Sequence, residues 1–417
     1  MFHRSRLGRR AQAVGAVVGA LVAVSVEFAP GAAAYDAQSK QWYLEPMQAE
    51  QMWKVSTGKG IKVAVIDSGV NVNTPSLKGQ VLTGEVPKLV AYSATNDYSG
   101  HGTTMAELIA GTGAGGGLQG LAPGAKIVPY RVELAGLKGG AEEREKTPEA
   151  IDAIRAAADT DAQIISMSFG AEGASSKEEE AIEYAASKGK LMIAAVGNEG
   201  LDKGRIGYPA AYPYVIGVSA TDESGTVSAF ASSGNYVDLA APGQGFPGWC
   251  DANLRSYCDD DQGTSAAAAI ASASAALIWS AHPDWTVNQV TRSLIDTAGR
   301  TWAKDKPSKY VGYGFVRPRI VLKDPDYDAG AADVDPLAKD NGGDLLANSA
   351  AATSSSPSPS TASQAPEKGS TGGTAAAGSA AESSDDSGTL WIALGAAAAV
   401  LVIGGAGAAV VRARRAR

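Results

Sequence analysis

His101 lies between two glycines in Ser99-Gly100-His101-Gly102-Thr103-Thr104-Met105, where a polar turn gives way to an apolar helical stretch ending near Gly111. Histidine is the base whose ordinary pKa lies near neutral pH, and flanking glycines let other chain or substrate come close to the ring. The chain has three histidines. His3 lies in a basic N-terminal segment, and His282, in Ser280-Ala281-His282-Pro283-Asp284, reads as a helix C-terminal residue facing the helix dipole. Asp67 ends the apolar run Ile61–Ile66 and precedes Ser68-Gly69, so it lies where open α/β sheets present ligand-binding groups. Ser265, in Gly263-Thr264-Ser265-Ala266-Ala267, opens a long helix of small residues whose first N–H groups and dipole favour developing negative charge. Serine attacks only when a base takes its proton, and an aspartate fixes the tautomer of that base. Asn198, at the end of Leu191-Met192-Ile193-Ala194-Ala195-Val196-Gly197-Asn198, offers an amide donor for an oxyanion. Taken singly, these are a turn aspartate, a capping serine and a Gly-Asn turn; as a set they are what nucleophilic acyl transfer requires.

Such residues converge only if a rigid frame carries them. Ile61–Ile66, Ile127–Tyr130, Ile164–Met167, Leu191–Ala194 and Val215–Val218 are mostly continuous apolar runs. That character suits strands covered on both faces, as in a parallel sheet. Helix starts lie between and after them: Thr147-Pro148 as cap and first-turn proline, and Ser176-Lys177-Glu178-Glu179 and Thr286-Val287-Asn288-Gln289 as capping boxes. Alternating strands and helices predict a layered α/β domain, with no internal repeat of solenoid length.

The 417 residues, 45% hydrophobic, suffice for one large catalytic domain with chain to spare. Arginines 4, 6, 9 and 10, an apolar run from Ala11 to Val26 and small residues Ala32-Ala33-Ala34 predict a secretory signal peptide over 1–34. A polar-aromatic extension, 35–60, carries Trp42, Tyr43 and Trp53. A folded α/β body is expected over 61–323. An acidic, then Ser/Ala/Pro-rich linker follows over 324–388, expected to be disordered for want of large apolar residues. Leu390 to Val411 is apolar and uncharged, long enough at about 1.5 Å per residue to cross a hydrocarbon core of roughly 30 Å. A transmembrane helix is therefore expected over 389–411. Arg412, Arg414, Arg415 and Arg417 make 412–417 a basic cytoplasmic tail, with the body outside. The net charge is −8, and more acidic still once the arginine-rich ends are set aside, a poor match for nucleic acid. Cys250 and Cys258, close in sequence in an exported chain, are expected to form a disulfide. No metal or cofactor is expected; Asp259-Asp260-Asp261 lacks the ligand spacing of a calcium loop.

Four motifs in the order Asp, His, Asn, Ser resemble those of the subtilisin-like serine peptidases: Val65-Ile66-Asp67-Ser68-Gly69, Gly100-His101-Gly102-Thr103, Ala194-Ala195-Val196-Gly197-Asn198-Glu199-Gly200 and Gly263-Thr264-Ser265. The likeness covers roughly residues 45–320. It implies a three-layer α/β domain with a mostly parallel, seven-stranded sheet between helices. It also implies Asp67, His101 and Ser265 as triad, Asn198 as oxyanion donor, and peptide substrate bound as an added strand beside Ser168-Phe169-Gly170. Ala194, Ala195, Val196 and Gly197 would wall the pocket for the residue before the scissile bond. The layout most resembles the mycosins, membrane-anchored subtilases of type VII secretion systems, and so implies membrane components of such a system as partners. Ala269 departs from the family by replacing a proline after the serine. The alternative reading is a non-catalytic component of a secretion complex built on the same fold; the intact set Asp67, His101, Asn198 and Ser265 favours the enzyme.

Overall fold

In the computed structural model, which describes residues 35–201 and 204–342, the apolar runs become strands. They are β1 (Lys62–Asp67), β2 (Lys126–Arg131), β3 (Ile164–Met167), β4 (Leu191–Ala195), β5 (Val215–Thr221) and β6 (Leu239–Pro242). All pair in parallel, in the order β2-β1-β3-β4-β5-β6. A hairpin, β7 (Gln244–Trp249) and β8 (Tyr257–Gln262), stands apart as an antiparallel pair. The expected seventh strand is absent among the described residues, so the main sheet has six. Single bridges, Val81 to Ile127 and Ala240 to Phe315, are what extend the two sheet edges.

The helices are α1 (Ala49–Trp53), α2 (His101–Ala110), α3 (Gly140–Lys146), α4 (Ala150–Ala158), α5 (Ser176–Ser187), α6 (Thr264–Ala281), α7 (Val287–Thr297), α8 (Pro318–Leu322) and α9 (Ala338–Asn341). Strand alternation divides the core into two layers. Val63, Val65, Ile193 and Ala195 face one side with α2 and α6. Ala64, Ile66, Met192, Ala194 and Val196 face the other with α4 and α5. The chain is thus a subtilisin-like α/β domain, a parallel sheet flanked by helices. Helix α6 is long and apolar enough to cross a membrane, but it is 89% buried as the central core helix.

Helix boundaries differ from the expected ones in two places. Thr147 closes α3 instead of opening the next helix, which begins after Glu149. Ser175, not Ser176, precedes α5, and no side-chain bond caps it. The Thr286–Gln289 capping box forms as expected, and His282 ends α6 with its ring stacked on Trp285 at 3.9 Å.

The ends of the body need a larger correction. Segment 35–60, expected as an N-terminal extension, is part of the folded body: Tyr43, Met47, Ala49 and Met52 are buried in the main core. Residues 324–342, expected to begin the disordered linker, instead form a strap across α7. Thr286 Oγ1 donates to the Ala332 carbonyl at 2.8 Å and Arg292 Nη2 to that of Val334 at 2.6 Å. The strap ends with Asn341 buried, its Nδ2 donating to Asp238 at 3.1 and 3.2 Å. Its composition is acidic and Gly-rich, yet Leu337 and Ala329 bury enough to anchor it. The leader, residues 343–388 of the linker, the apolar span and the basic tail lie outside the described residues.

Burial pushes the Asp238 carboxyl up to about 8, against the opposing pull of the Gly217 N–H and Asn341. An unfolded chain releases that proton near pH ~4, so between there and about 8 the folded chain holds one proton more. The contribution of Asp238 to stability therefore declines as pH rises across that interval and levels off above it. Asp238→Asn should flatten this part of the profile in thermal melts at about pH 5 and about pH 8. An unchanged difference in Tm between the two would remove Asp238 as its source.

Candidate active site

The parallel sheet delivers Asp67 at the C-terminal end of β1, fully buried. Its Oδ1 accepts the Ser68 N–H at 2.7 Å and lies 2.8 Å from His101 Nδ1; Oδ2 is 3.0 Å from the same nitrogen. That contact leaves Nε2 as the nitrogen free to act as base. His101 opens α2, with its side chain 40% exposed. The flanking glycines have different duties. Gly100 has φ +89°, which other residues rarely adopt, and a Cβ there would also meet the Asp251 carbonyl at 2.7 Å. A Cβ on Gly102 would sit 2.2 Å from the Gly69 carbonyl, so its bareness lets the helix approach the end of β1.

Nothing in its sequence context singles out Asp97, yet it organises this corner. It is buried. Oδ1 accepts from Ser99 N at 2.9 Å and Gly100 N at 2.8 Å, and Oδ2 from Thr103 N at 2.8 Å and Thr103 Oγ1 at 2.6 Å. Ser68 Oγ bridges the two aspartates, 2.8 Å from Asp97 and 3.1 Å from Asp67, and accepts from Ser99 Oγ at 2.7 Å. One carboxylate thus fixes the turn that aims the imidazole at the other. The only signal in the sequence is an Asp a few residues ahead of a helix start, too common to stand out.

Ser265 begins α6 beside the end of β3. Its hydroxyl donates to the Ser168 carbonyl at 3.0 Å, while Ser168 Oγ donates to the Ser265 carbonyl at 3.1 Å. With its one proton on Ser168, the hydroxyl would have to rotate to reach the imidazole. Ala269 leaves α6 continuous and is itself fully buried. Asn198 Oδ1 accepts both the Thr264 N–H at 3.0 Å and Thr264 Oγ1 at 2.9 Å. Two donors on the oxygen fix the orientation of the amide and leave Nδ2 as the free donor.

A cleft of about 710 Å³ opens beside Ser265, and Ser168, Phe169, Gly170, Ala195, Gly197 and Asn198 help to line it. Ala194 and Val196, expected as pocket walls, point into the opposite core layer instead; strand alternation admits only every second residue to the cleft. Gly207, not foreseen, also lines the cleft, and its Cα lies 3.7 Å from where a Cβ on Gly170 would sit. Gly170 and Gly207 therefore add no side chain to this part of the cleft. The disulfide Cys250–Cys258 forms and closes the β7–β8 hairpin.

A buried carboxylate on an imidazole, a serine at a helix start and a tethered amide, all at one edge of a parallel sheet, define a nucleophilic hydrolase of α/β type. The sequence profile of the Subtilase family, Peptidase S8, matches residues 58–314. Thermitase of Thermoactinomyces vulgaris is 33% identical over 276 residues, 65% of this chain and 95% of that protein. Minor extracellular protease Epr of Bacillus subtilis (strain 168) is 33% identical over 297 residues, 70% of this chain but only 43% of Epr. Among solved structures, the serine protease MycP1, described as an essential component of the type VII (ESX-1) secretion system, superposes with TM-score 0.57 at 27% identity, covering 70% of this chain and 90% of that one. The chain belongs to the Subtilase family, and by that membership it is a serine endopeptidase of subtilisin type.

Burial alone would lower the pKa of His101. The charge and hydrogen bond of Asp67, with Asp97 and Asp261 behind, outweigh it and raise the imidazole to about 9. A base must be neutral to accept a proton, so kcat/KM should climb with pH along a limb lying above the ordinary histidine value of about 6.5. Asp261→Asn removes one of the raising charges and should move the limb to lower pH. A limb that stays in place in pH-rate profiles of the variant would show that Asp261 does not act on His101.

Proposed function

We propose that Asp67, His101 and Ser265 cleave peptide bonds through an acyl-enzyme, with Asn198 as oxyanion donor. The observation that carries this reading is the tether between Asn198 and Thr264, which binds the oxyanion donor to the residue beside the nucleophile. Ser265 Oγ turns from the Ser168 carbonyl, gives its proton to His101 Nε2 and attacks the scissile carbonyl. Asp67 steadies the imidazolium from Nδ1. The oxyanion is met by Asn198 Nδ2 and by the Ser265 N–H in the first turn of α6, where the helix supplies no acceptor. His101 then protonates the departing amine, and water repeats the sequence to release the acid. The substrate lies extended along Ser168-Phe169-Gly170, with its residue before the scissile bond over the cleft.

Ser265-dependent labelling by a serine-phosphonylating reagent tests the nucleophile, and a folded, unlabelled protein would favour the scaffold reading. Asn198→Ala should lower kcat by about 10²–10³, the range known for loss of the oxyanion-hole asparagine in subtilisin, a relative of this chain, while raising KM less. A kcat within about threefold of wild type, under about 0.7 kcal/mol, would remove Asn198 from the oxyanion role.

We further propose that the enzyme is exported and held at the cell membrane by the span 390–411, with its catalytic domain outside, and that it serves a type VII secretion system. The apolar run with its arginine tail supports the anchor, and the likeness to MycP1 supports the association. Truncation near Gly388 should release the protein from membranes. Continued sedimentation with membranes in high salt would show that something other than this span holds it.

A further inference from the structure

The β7–β8 hairpin runs directly into the turn that presents Ser265, and it is docked on α2, the helix that begins at His101. The dock is polar and buried. Glu107, on α2, is fully buried. Its Oε2 accepts from Trp249 Nε1 at 3.1 Å and from Tyr257 OH at 2.7 Å, so one oxygen holds a residue from each strand. The two rings stack with centroids 3.9 Å apart, and the disulfide closes the hairpin beside them. Trp249 N donates to Thr104 Oγ1, also on α2, at 3.0 Å. From outside, the Tyr35 ring stacks on Tyr257, while Tyr35 OH and Lys40 hold Asp259 of β8.

A buried carboxylate is a poor choice for mere filling. Burial pushes its pKa up, against the opposing pull of the Tyr257 and Trp249 donors. Among the described residues, Glu107 Oε1 and the buried Thr74 and Ser76 hydroxyls make no well-aligned bond. An apolar residue would avoid that penalty; what a carboxylate supplies is a fixed arrangement of donors. The arrangement bears on catalysis. The donors come from the segment that leads to Ser265, and the acceptor sits on the helix of His101. Trp249 Cβ lies 3.3 Å from where a Cβ on Gly100 would sit, next to the imidazole.

We propose that Glu107 is a positioning residue: it sets the seat of the β7–β8 hairpin on α2, and through it the alignment of Ser265 with His101. This rests on the triad reading above. Ser265 must leave Ser168 and meet Nε2, and a misalignment of about 1 Å in such a contact can cost about a hundredfold in rate.

The test uses the full chain. Tyr257→Phe removes one donor and keeps the stacked ring; Glu107→Gln keeps the shape and removes the charge. Each should lower kcat about tenfold per phosphonate-titrated Ser265, with KM within about twofold. The double variant should be no worse than the worse single one, because both break the same contact. Three carboxylates face His101: Asp67 from β1, Asp97 from the turn before α2, and Asp261 from β8. Only Asp261 moves with the hairpin, so the acid limb of kcat/KM should shift to lower pH in both variants. A lowered Tm with kcat per titrated site and pH limb unchanged would make Glu107 structural only and overturn the proposal, as would additive losses. If Glu107→Gln does not fold, Tyr257→Phe and Trp249→Phe carry the same test. If the wild type neither labels nor cleaves, the triad reading falls. Amide exchange of residues 244–262 then decides the clamp by itself: faster exchange there in Tyr257→Phe supports it, and unchanged exchange overturns it.

Discussion

Helix α6 packs against the parallel sheet with mostly alanine and serine buried along it, beside Ile270, Leu277, Ile278 and Trp279. Ala266, Ala267, Ala268, Ala269, Ala271, Ala273, Ala275 and Ala276 are all fully buried. Midway along, Ser272 Oγ donates to Ser166 Oγ of β3 at 3.0 Å, a bond that larger neighbours would prevent. Close seating at that point brings the start of the helix to the end of the same strand, where Ser265 and Ser168 exchange hydroxyl-to-carbonyl bonds. A larger side chain on this face would cost about 1–3 kcal/mol of overpacking. It would also lift Ser265 away from the end of the sheet. Alanine at 269 fits this constraint: it is as small as the site demands, and it restores a backbone N–H that proline would lack.

The imidazole approaches from a second helix, so its aim needs a separate device. That device is a chain of acceptors. Asp97 gathers two donors from the turn before α2 and two from Thr103 in its first turn, and Ser68 joins it to Asp67. Carboxylates suit this duty because they only accept, and each oxygen can hold two donors without competing for a proton. Glu107 on α2 and Asp238 beside β6 are also buried and also collect donors from distant segments, but burial favours their protonated form.

This pattern explains what is legible in the sequence. Asp67, His101, Asn198 and Ser265 are each marked by neighbours within a few residues: a strand before, a glycine beside, a helix after. The strands are visible as continuous apolar runs, and the six-stranded sheet differs from the expected seven only where the edges shrink to single bridges. Glu107 has no such mark. Its partners are 142 and 150 residues away, and in its own helix it reads as an ordinary solvent-facing acid. Asn341 pairs with Asp238 across 103 residues, so local composition describes the strap as linker. Ala194 and Val196 are misplaced for a different reason: a motif names a stretch of chain, but the two-residue period of a strand sends alternate members to opposite layers.

The same carboxylates set stability and activity against one another as pH changes. Glu107 and Asp238 have their pKa raised mainly by burial, so each favours folding most while the folded state still keeps its proton. Their contributions fall as pH rises from the unfolded toward the folded value. His101, raised by Asp67 and its neighbours to about 9, contributes stability fully below about 6.5 and loses it as pH rises through the folded value. All three therefore weaken the fold toward alkaline pH, and that is the direction in which the His101 imidazole becomes neutral. The hairpin clamp lies where these opposed trends meet, since Glu107 sits between the two segments that carry His101 and Ser265. The disulfide beside it does not titrate, and it keeps the two hairpin strands together while the carboxylate changes state.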